Sequence, residues 1–368
     1  MKARLAALAL VTVLALVATL TGASRPTTAA QATAAATMSA APFKVSKALK
    51  VALITPSAKN DLAWSQSAFD AWTKIQKEVG ANLEITVSEN LFMVPDAAAA
   101  IRDYASQGYN IIDAHGTQYG SSMFDVAKDF PEITFIYGTA TDNGGSKGFK
   151  NVFAYEARAE EGGYVNGIMA ALLSKSGIVG VVGPVNAGDA KLYIDGFLAG
   201  AKSTGKLKKT LPPIFTDSFG DTAKAAEAAK TLISQGADVL TGSAQQVPGA
   251  ITEVQKAKGY WFGTQSDQAA GWPDTVVAVQ VFDWVAVYKD IITKHLAGNL
   301  GGASYELTLA NGGMKIVFND KVKIPDDVKK AGTDAITAIS TGKTNVRAIT
   351  QPAATMAATM SMMATAAK

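Results

Sequence analysis

Strand-like and helix-like segments alternate along most of this chain, from Lys50 to about Ser340. The short β-rich run Val51–Thr55 precedes a helix-spaced pattern in Ala63–Trp72, and the same order returns when Gly177–Gly183 is followed by Lys191–Ser203. Such alternation predicts parallel sheets covered by helices. The span of roughly 300 residues is long enough for two lobes of ordinary size. The sequence therefore predicts an α/β fold with two doubly wound parallel-sheet lobes joined by a hinge.

The domain plan follows from where this alternation stops and restarts. A helix with small residues on one side, Glu160–Leu173, separates the two series, and Val276–Gln280 with Trp284–Leu296 is expected to return to the first lobe. The expected boundaries are 1–23 for a signal peptide, 24–47 for a disordered Ala/Thr-rich linker, 48–158 with about 265–305 for the first lobe, 159–264 with about 306–345 for the second lobe, and 346–368 for a low-complexity tail.

The first 23 residues indicate export. Met1–Arg4 carries two positive charges and Leu5–Leu20 is an uninterrupted run of apolar and small residues, as in a secretory signal. Cleavage after Ala23 or near Ala30 would release the protein, whereas an uncleaved leader would anchor it. About 16 apolar residues are short for a bilayer span, which favours release. The expected location is extracytoplasmic, in the periplasm or at the outer face of the plasma membrane.

Composition excludes several classes of function. The chain has no cysteine, which removes disulfides, thiolate metal sites and a cysteine nucleophile, and its net charge of +3 is spread without a basic cluster, which argues against nucleic acid. It has two histidines and no Ser-His-Asp elbow. Gly180–Gly188 lacks the spacing of a dinucleotide or phosphate loop, and the carboxylates are scattered rather than clustered for a metal. We expect no catalytic residue, no metal, no cofactor and no enzyme activity.

Polar and aromatic side chains follow successive predicted strands, where ligands bind in open α/β sheets. Trp64 lies in the loop after the first strand, where we interpret it as a ring for ligand stacking, whereas Asp61 is equally suited to cap the next helix. His115 is open to a purely structural interpretation and Phe219 to a place in the core. The candidates taken from position are Asn60, Asp61, Trp64, Ser65, His115, Thr117, Tyr119, Asp189, Phe219 and Gln246.

Six motifs in a fixed order carry a family resemblance. They are Asp61–Trp72 (DLAWSQSAFDAW), Glu160–Gly167 (EEGGYVNG), Gly177–Gly183 (GIVGVVG), Asp195–Ala201 (DGFLAGA), Gln235–Asp238 (QGAD) and Gln265–Gln268 (QSDQ). The span from Lys50 to about Ser340 resembles the basic membrane protein (BMP) family of substrate-binding lipoproteins, which are related to purine nucleoside receptors. The resemblance implies a type 1 periplasmic-binding-protein-like fold. It also implies a monomer that captures a small molecule between its lobes and delivers it to an ABC permease with ATPase subunits.

This chain departs from the family pattern in three places. Ala23 stands where the lipoprotein signal has its acylated cysteine, so no lipid anchor can form there. Asp61–Gln66 (DLAWSQ) replaces Asp-Lys-Ser-Phe-Asn-Gln, which keeps an aromatic ring and changes its polar neighbours. Gln265–Gln268 replaces Asp-Ser-Asp-Gln, and the match adds Gln265 and Asp267 to the candidate ligand-binding residues.

The predicted cargo is a nucleoside or another flat heterocycle, because ring stacking tolerates many such ligands while polar groups orient them. Three alternatives remain open at this point. They are a sugar-type cargo, a ligand sensor for a membrane signalling receptor, and a surface protein with no small ligand.

Overall fold

The computed structural model describes residues 43–351. The predicted signal peptide, most of the predicted linker and the chain after Gln351 lie outside the described residues. None of the helices between residues 43 and 351 combines the length and apolar character that a bilayer crossing requires.

The first lobe contains a six-stranded parallel sheet with the order β2-β1-β3-β4-β5-β12. Its central strands are apolar and buried on both faces, as expected for a parallel sheet covered by helices. The elements are β1 (Leu49–Ile54), α1 (Trp64–Val79), β2 (Leu83–Ser88), α2 (Val94–Ser106), β3 (Ile111–Ala114), α3 (Gly120–Asp129), β4 (Thr134–Gly138) and β5 (Val152–Ala157), with α8 (Val285–Leu296) and β12 (Ser304–Leu307) added later in the chain.

The second lobe contains a seven-stranded sheet with the order β7-β6-β9-β10-β11-β13, in which β8 also pairs with β6. Only β13 runs antiparallel to its neighbour. The elements are α4 (Ala159–Leu173), β6 (Ile178–Gly183), α5 (Gly188–Ser203), β7 (Lys209–Thr210), β8 (Ile214–Phe215), α6 (Thr222–Ser234), β9 (Val239–Gly242), α7 (Val247–Lys256), β10 (Tyr260–Gln265) and β11 (Val276–Phe282), followed by β13 (Met314–Phe318), α9 (Asp326–Ser340) and α10 (Val346–Thr350).

Strand β11 corrects the domain plan. It pairs with β10 from Trp261↔Val276 to Gln265↔Val281, so the prediction that Val276–Gln280 belongs to the first lobe is wrong. The apolar run of β11 shows that the strand is buried but contains no signal for the sheet it joins. The chain returns to the first lobe at α8, where Tyr288 stacks on Trp72 with ring centroids 4.2 Å apart.

Both ends of the described chain pack more than predicted. Val45, placed in the disordered linker by the sequence, is 4 % exposed and belongs to the core. Val346, placed in the low-complexity tail, is 2 % exposed and begins α10. In each case one or two apolar residues in a polar or small-residue context were enough to dock the segment, which composition alone does not reveal.

Helices α4 and α5 approach each other through glycines. A Cβ on Gly167 would lie 2.0 Å from the Phe197 carbonyl oxygen, and one on Gly200 would lie 2.0 Å from that of Tyr164. Only a residue without a side chain allows this backbone contact. The motifs EEGGYVNG and DGFLAGA therefore encode a helix pair that lies at the base of the second lobe.

Three crossings connect the lobes, at Ala157–Ala159, Phe282–Val285 and Leu307–Met314. Arg347 of α10 lies beside two of them. It pairs with Glu156 at 2.8 Å, with the fully buried Glu160 at 2.8 Å and with Glu306 at 3.3 Å. One guanidinium thus ties both strands that leave the first lobe to the first turn of α4.

Candidate functional site

A cavity of about 580 Å³ lies between the two lobes, within the usual range for small-molecule sites. Its walls come from the carboxyl ends of the strands of both sheets. The lining residues include Pro56, Trp64, Phe92, Met93, Thr117, Gln118 and Thr139 from the first lobe, and Val185, Asp189, Phe219, Ala244, Gln245 and Gln265 from the second.

Trp64 forms part of the cavity wall and is itself firmly held. One face of its indole stacks on the imidazole of His115, with ring centroids 4.0 Å apart and planes 11° apart. Its edges meet Phe282 and Trp284 at 6.2 and 5.8 Å, and its Nε1 donates to the His115 carbonyl oxygen at 2.9 Å. The residue is 7 % exposed. Ligand stacking by Trp64 therefore stays a prediction that only its cavity-facing surface could satisfy.

His115 lies behind Trp64 and does not line the cavity. It is fully buried, its Nε2 lies 3.0 Å from the Trp64 carbonyl oxygen, and its Nδ1 meets the Tyr155 hydroxyl. Burial lowers the pKa of His115 to about 3. The imidazole is neutral and structural at ordinary pH, which corrects the prediction that it contacts ligand directly.

Most polar atoms of the loop before α1 form hydrogen bonds within the loop or with the first turn of α1. Asp61 Oδ1 accepts from the Ala63 and Gln66 amides at 2.9 and 3.1 Å, and Oδ2 accepts from the Ser65 amide at 3.1 Å and from the Ser57 hydroxyl. The Ser65 hydroxyl is buried against that of Ser57 at 2.8 Å. Asp61 thus caps the helix, which was the alternative interpretation, and Asn60 is exposed outside the cavity wall.

Two phenyl rings from opposite lobes contact each other at the cavity wall. Phe92 belongs to the first lobe and is half exposed, while Phe219 belongs to the second. Their centroids are 6.2 Å apart with planes at 53°. The pair supplies apolar surface from both lobes to the cavity wall.

Asp189 and Gln265 form the polar part of the second-lobe wall. Gln265 Nε2 donates to Asp189 Oδ2 at 3.0 Å, which leaves Gln265 Oε1 buried and without a partner. Burial raises the pKa of Asp189, while the Gln265 amide and the amides of Asp189 and Ala190 oppose that rise. Asp189 supplies a carboxylate to the cavity wall, so the wall is suited to a ligand with N–H or O–H donors.

The cavity is electrostatically one-sided. Among the described residues that line it, Asp189 is the one ionisable side chain, and none is Lys, Arg or His. An anionic ligand would therefore meet a carboxylate with no cation to compensate it. A neutral or cationic ligand fits this wall better.

Three further candidates lie away from the cavity wall. The Tyr119 hydroxyl is buried and donates to the Leu91 carbonyl oxygen at 2.8 Å. Gln246 is buried and its Oε1 accepts from the Thr216 hydroxyl at 2.6 Å, while its neighbour Gln245 lines the cavity. Asp267 is exposed and accepts from the Ala269 amide at 2.8 Å. Thr117 does line the cavity, as the sequence predicts for its position.

The sequence-based prediction missed several lining residues, although they too lie beyond the carboxyl ends of strands. Phe92 and Met93 follow β2, and Thr139 follows β4, so each lies beyond the carboxyl end of a strand. Thr139, Ala244 and Gln265 also have positive φ values of 61°, 72° and 77°. Such backbone is unfavourable for residues other than glycine and collects at ligand sites, where surrounding structure enforces it.

Two α/β lobes, three crossings and an enclosed interlobe cavity define a two-lobed solute-binding protein. The family model for PnrA-like ABC transporter substrate-binding proteins (Bmp) matches residues 48–346, and the chain belongs to this family. The family and the fold class predicted from the sequence are thus confirmed. The family is one of transporter binding proteins rather than enzymes.

Individual relatives agree with this assignment. A purine-binding protein of Brucella abortus is 31 % identical over 298 residues, which cover 81 % of this chain and 82 % of that protein. The transcriptional activator protein med of Bacillus subtilis is 27 % identical and covers 74 % of this chain and 82 % of its own. The structure of a solute-binding protein of an ABC transporter system from Conexibacter woesei superposes with a TM-score of 0.67 at 23 % identity, covering 81 % of this chain and 98 % of that one.

Proposed function

We propose that this protein is an extracytoplasmic receptor that encloses a purine, as the nucleoside or the free base, and delivers it to an ABC permease. The observation that carries the proposal is the interlobe cavity, whose wall contains the rings of Trp64, Phe92 and Phe219 and the carboxylate of Asp189. A purine is flat, apolar on its faces and rich in N–H donors at its edge. The name of the Brucella abortus relative supports the same ligand class.

The proposed order of events follows from how the rings are held. Trp64 is fixed by the first lobe, so the ligand first meets a surface that needs no rearrangement. Closure then brings Phe219, Asp189 and Gln265 of the second lobe against it. Binding energy from these contacts stabilises the closed arrangement, which is the form that a permease would recognise.

Because the described cavity wall has no cationic side chain, we expect the protein to bind neutral purines in preference to nucleotides. We expect adenosine, inosine, guanosine or their bases to bind, and the corresponding monophosphates to bind far more weakly, because Asp189 opposes the phosphate charge. A sugar-type cargo is disfavoured, since sugars would leave much of the aromatic surface without a flat partner.

The test is isothermal calorimetry and thermal shift of the protein from residue 24 onward against purine nucleosides, purine bases, pyrimidine nucleosides, monosaccharides and nucleoside monophosphates. Ligand at about 100 times its Kd adds about 2.7 kcal/mol to stability, which a melting curve resolves. A response to neutral purines alone supports the proposal. A response to monosaccharides or pyrimidine nucleosides with none to purines contradicts the ligand class.

Export and transport need tests in cells. Fractionation of a tagged full-length chain would show whether the predicted leader directs it outside the cytoplasm, and a release into the soluble extracytoplasmic fraction is expected. A second candidate function is ligand sensing, which the relative named as a transcriptional activator favours. Loss of radiolabelled purine uptake on deletion of the gene supports transport; unchanged uptake with altered gene expression supports sensing.

A further inference from the structure

A buried chain of polar side chains runs from the back of Trp64 into the first lobe. It is built from α1, β3, β5 and α8, and its members other than Trp64 have no exposed surface. Its members are Trp64, His115, Tyr155, Asp113, Trp72 and Tyr288. Buried polar groups of this kind are stable only when each contact contains a proton.

The contacts with Trp64 fix the tautomer of His115. The Trp64 carbonyl oxygen, 3.0 Å from Nε2, has no proton to give, so Nε2 carries the hydrogen. The neutral ring therefore presents Nδ1 as an acceptor, and the Tyr155 hydroxyl is its partner. In return the Trp64 Nε1–H donates to the His115 carbonyl oxygen at 2.9 Å, so the two residues hold each other through both side chain and backbone.

The Tyr155 oxygen has three polar neighbours, and each contact requires one proton. They are His115 Nδ1, Asp113 Oδ1 at 3.0 Å and the Tyr288 hydroxyl oxygen at 3.2 Å. The Tyr288 hydroxyl also faces the Asp113 carboxyl. When Tyr288 donates to the Tyr155 oxygen and Tyr155 donates to His115, the two hydroxyls supply two of the three protons, and the third contact has a hydrogen when Asp113 or His115 carries one more. The other oxygen of Asp113 accepts from Trp72 Nε1 at 2.9 Å.

We propose that Asp113, in its protonated form, donates to the Tyr155 oxygen and, through Tyr155, holds the His115 ring in the orientation that positions Trp64 at the cavity wall. Asp113, Tyr155 and His115 are thus positioning residues for the ligand site, although none of them lines the cavity. The stack of Trp64 on His115, at 4.0 Å and 11°, is the contact through which they act.

The surroundings place the proton on Asp113 rather than on His115. Burial raises the pKa of Asp113 to about 6 and lowers that of His115 to about 3. The groups that face this pair are Trp64 and Trp72 from α1, Tyr155 from β5, and Tyr288 from α8, and within residues 43–351 Asp113 has no cationic partner. Proton loss as the pH rises leaves one of the three contacts at Tyr155 without a hydrogen.

Nuclear magnetic resonance of the imidazole nitrogens tests the arrangement without any ligand. The chain has two histidines, so ¹⁵N-histidine labelling with His295→Gln as the assignment variant isolates His115. We expect an Nε2–H tautomer and an Nδ1 resonance that shifts between pH 5 and 8. Asp113→Asn, whose amide donates permanently, should keep the low-pH resonance throughout. An Nδ1–H tautomer, an imidazolium or a pH-independent wild-type resonance overturns the proposal.

Ligand affinity tests the positioning role, and this part rests on the proposed function. Using inosine and hypoxanthine as probes, we expect Tyr155→Phe to weaken binding at least fivefold and to abolish its dependence on pH. The matched control is Tyr109→Phe, which removes a first-lobe hydroxyl bonded to Thr86 at 2.8 Å, away from this chain. Equal affinities of the two variants contradict the role. Failure of wild-type protein to bind either probe contradicts the proposed ligand class and leaves the resonance test in force.

Discussion

We expect Phe219 to contribute more than any other second-lobe side chain to the affinity for a flat ligand. It is partly exposed in the cavity and has little to pack against except Phe92. Phe219→Ala should weaken purine binding by about 1–3 kcal/mol, the usual value of one stacked ring, with a small effect on unfolding. Calorimetry checks the affinity and urea denaturation the stability.

Phe318→Ala is the matched control for that substitution. Phe318 is a partly exposed phenyl of the same lobe, on β13, and does not line the cavity. Its removal should leave affinity unchanged. If both variants bind purines as the wild type does, Phe219 has no stacking role.

As the pH falls, Asp113 and His115 are expected to change the stability of the fold in opposite directions. The folded pKa of His115, about 3, lies below its unfolded value, so its contribution to stability falls as pH drops below about 6.5. The folded pKa of Asp113, about 6, lies above its unfolded value, so its contribution rises over the same change.

Asp113→Asn removes the stability that protonation of Asp113 adds in acid, and it leaves the stability that His115 loses. Between pH 6.5 and 4.5 the variant should lose about 2 kcal/mol more unfolding free energy than the wild type, at about 1.4 kcal/mol per unit of pKa difference. Urea denaturation at the two pH values measures this. Parallel pH profiles of variant and wild type would show that the two groups do not titrate as described.

Five of the predicted site residues line the cavity, namely Trp64, Thr117, Asp189, Phe219 and Gln265. The first four were chosen because ligands gather at the carboxyl ends of parallel strands, and Gln265 was chosen from the family motif. Ligand binding by these residues stays a prediction. The same rule does not distinguish a side chain that points into the cavity from one already used by the fold. Asp61 caps a helix through amides two to five residues away, a role for which its position before α1 is equally suited. Gln246 bonds to Thr216, 30 residues away, and the sequence does not define that contact.

At the scale of the elements, the α4–α5 pair is a contact that tolerates little change. Alanine normally stabilises a helix relative to glycine by about 1 kcal/mol. At Gly167 the added Cβ would meet a carbonyl oxygen at 2.0 Å, so the helices must separate. We expect Gly167→Ala to cost about 1–3 kcal/mol as an overpacked site, measured by urea denaturation. A more stable variant would show that the pair separates freely.

The order of helices and strands could be predicted from the sequence. The sheet that each strand joins could be predicted only in part. Alternating β and α patterns gave the parallel architecture. Strand β11 went to the second sheet because its register with β10 is set by contacts between strands, which leave no periodic signal. The folding of residues 346–350 onto α4 and α5 likewise depended on Val346 and Arg347, two side chains in a weakly patterned segment.

At the scale of the whole molecule, Arg347 connects the parts that must move when the lobes close. It pairs with Glu156 and Glu306 from first-lobe strands and with Glu160 of α4. Arg347→Ala should destabilise the protein by on the order of 3 kcal/mol, because Glu160 is fully buried and loses one of its two guanidinium partners.

The surface pair Arg102–Asp129 provides the comparison for Arg347. Its members lie 2.8 Å apart and both are about half exposed, so Arg102→Ala should cost less than about 1 kcal/mol. Thermal and urea denaturation of the two variants test the difference. Similar, small losses in both would show that the interlobe cluster is solvated like a surface pair.

Asp189 is the one carboxylate among the described residues that line the cavity, and this has a consequence for what the cell would take up. Where purines are present as phosphate esters, each phosphate would place further negative charge beside Asp189. Under the proposed function the receptor ignores these esters, however abundant they are. Its occupancy would then depend on how fast phosphatases outside the cell convert these esters to neutral nucleosides. Uptake would be limited by a reaction that this protein does not perform.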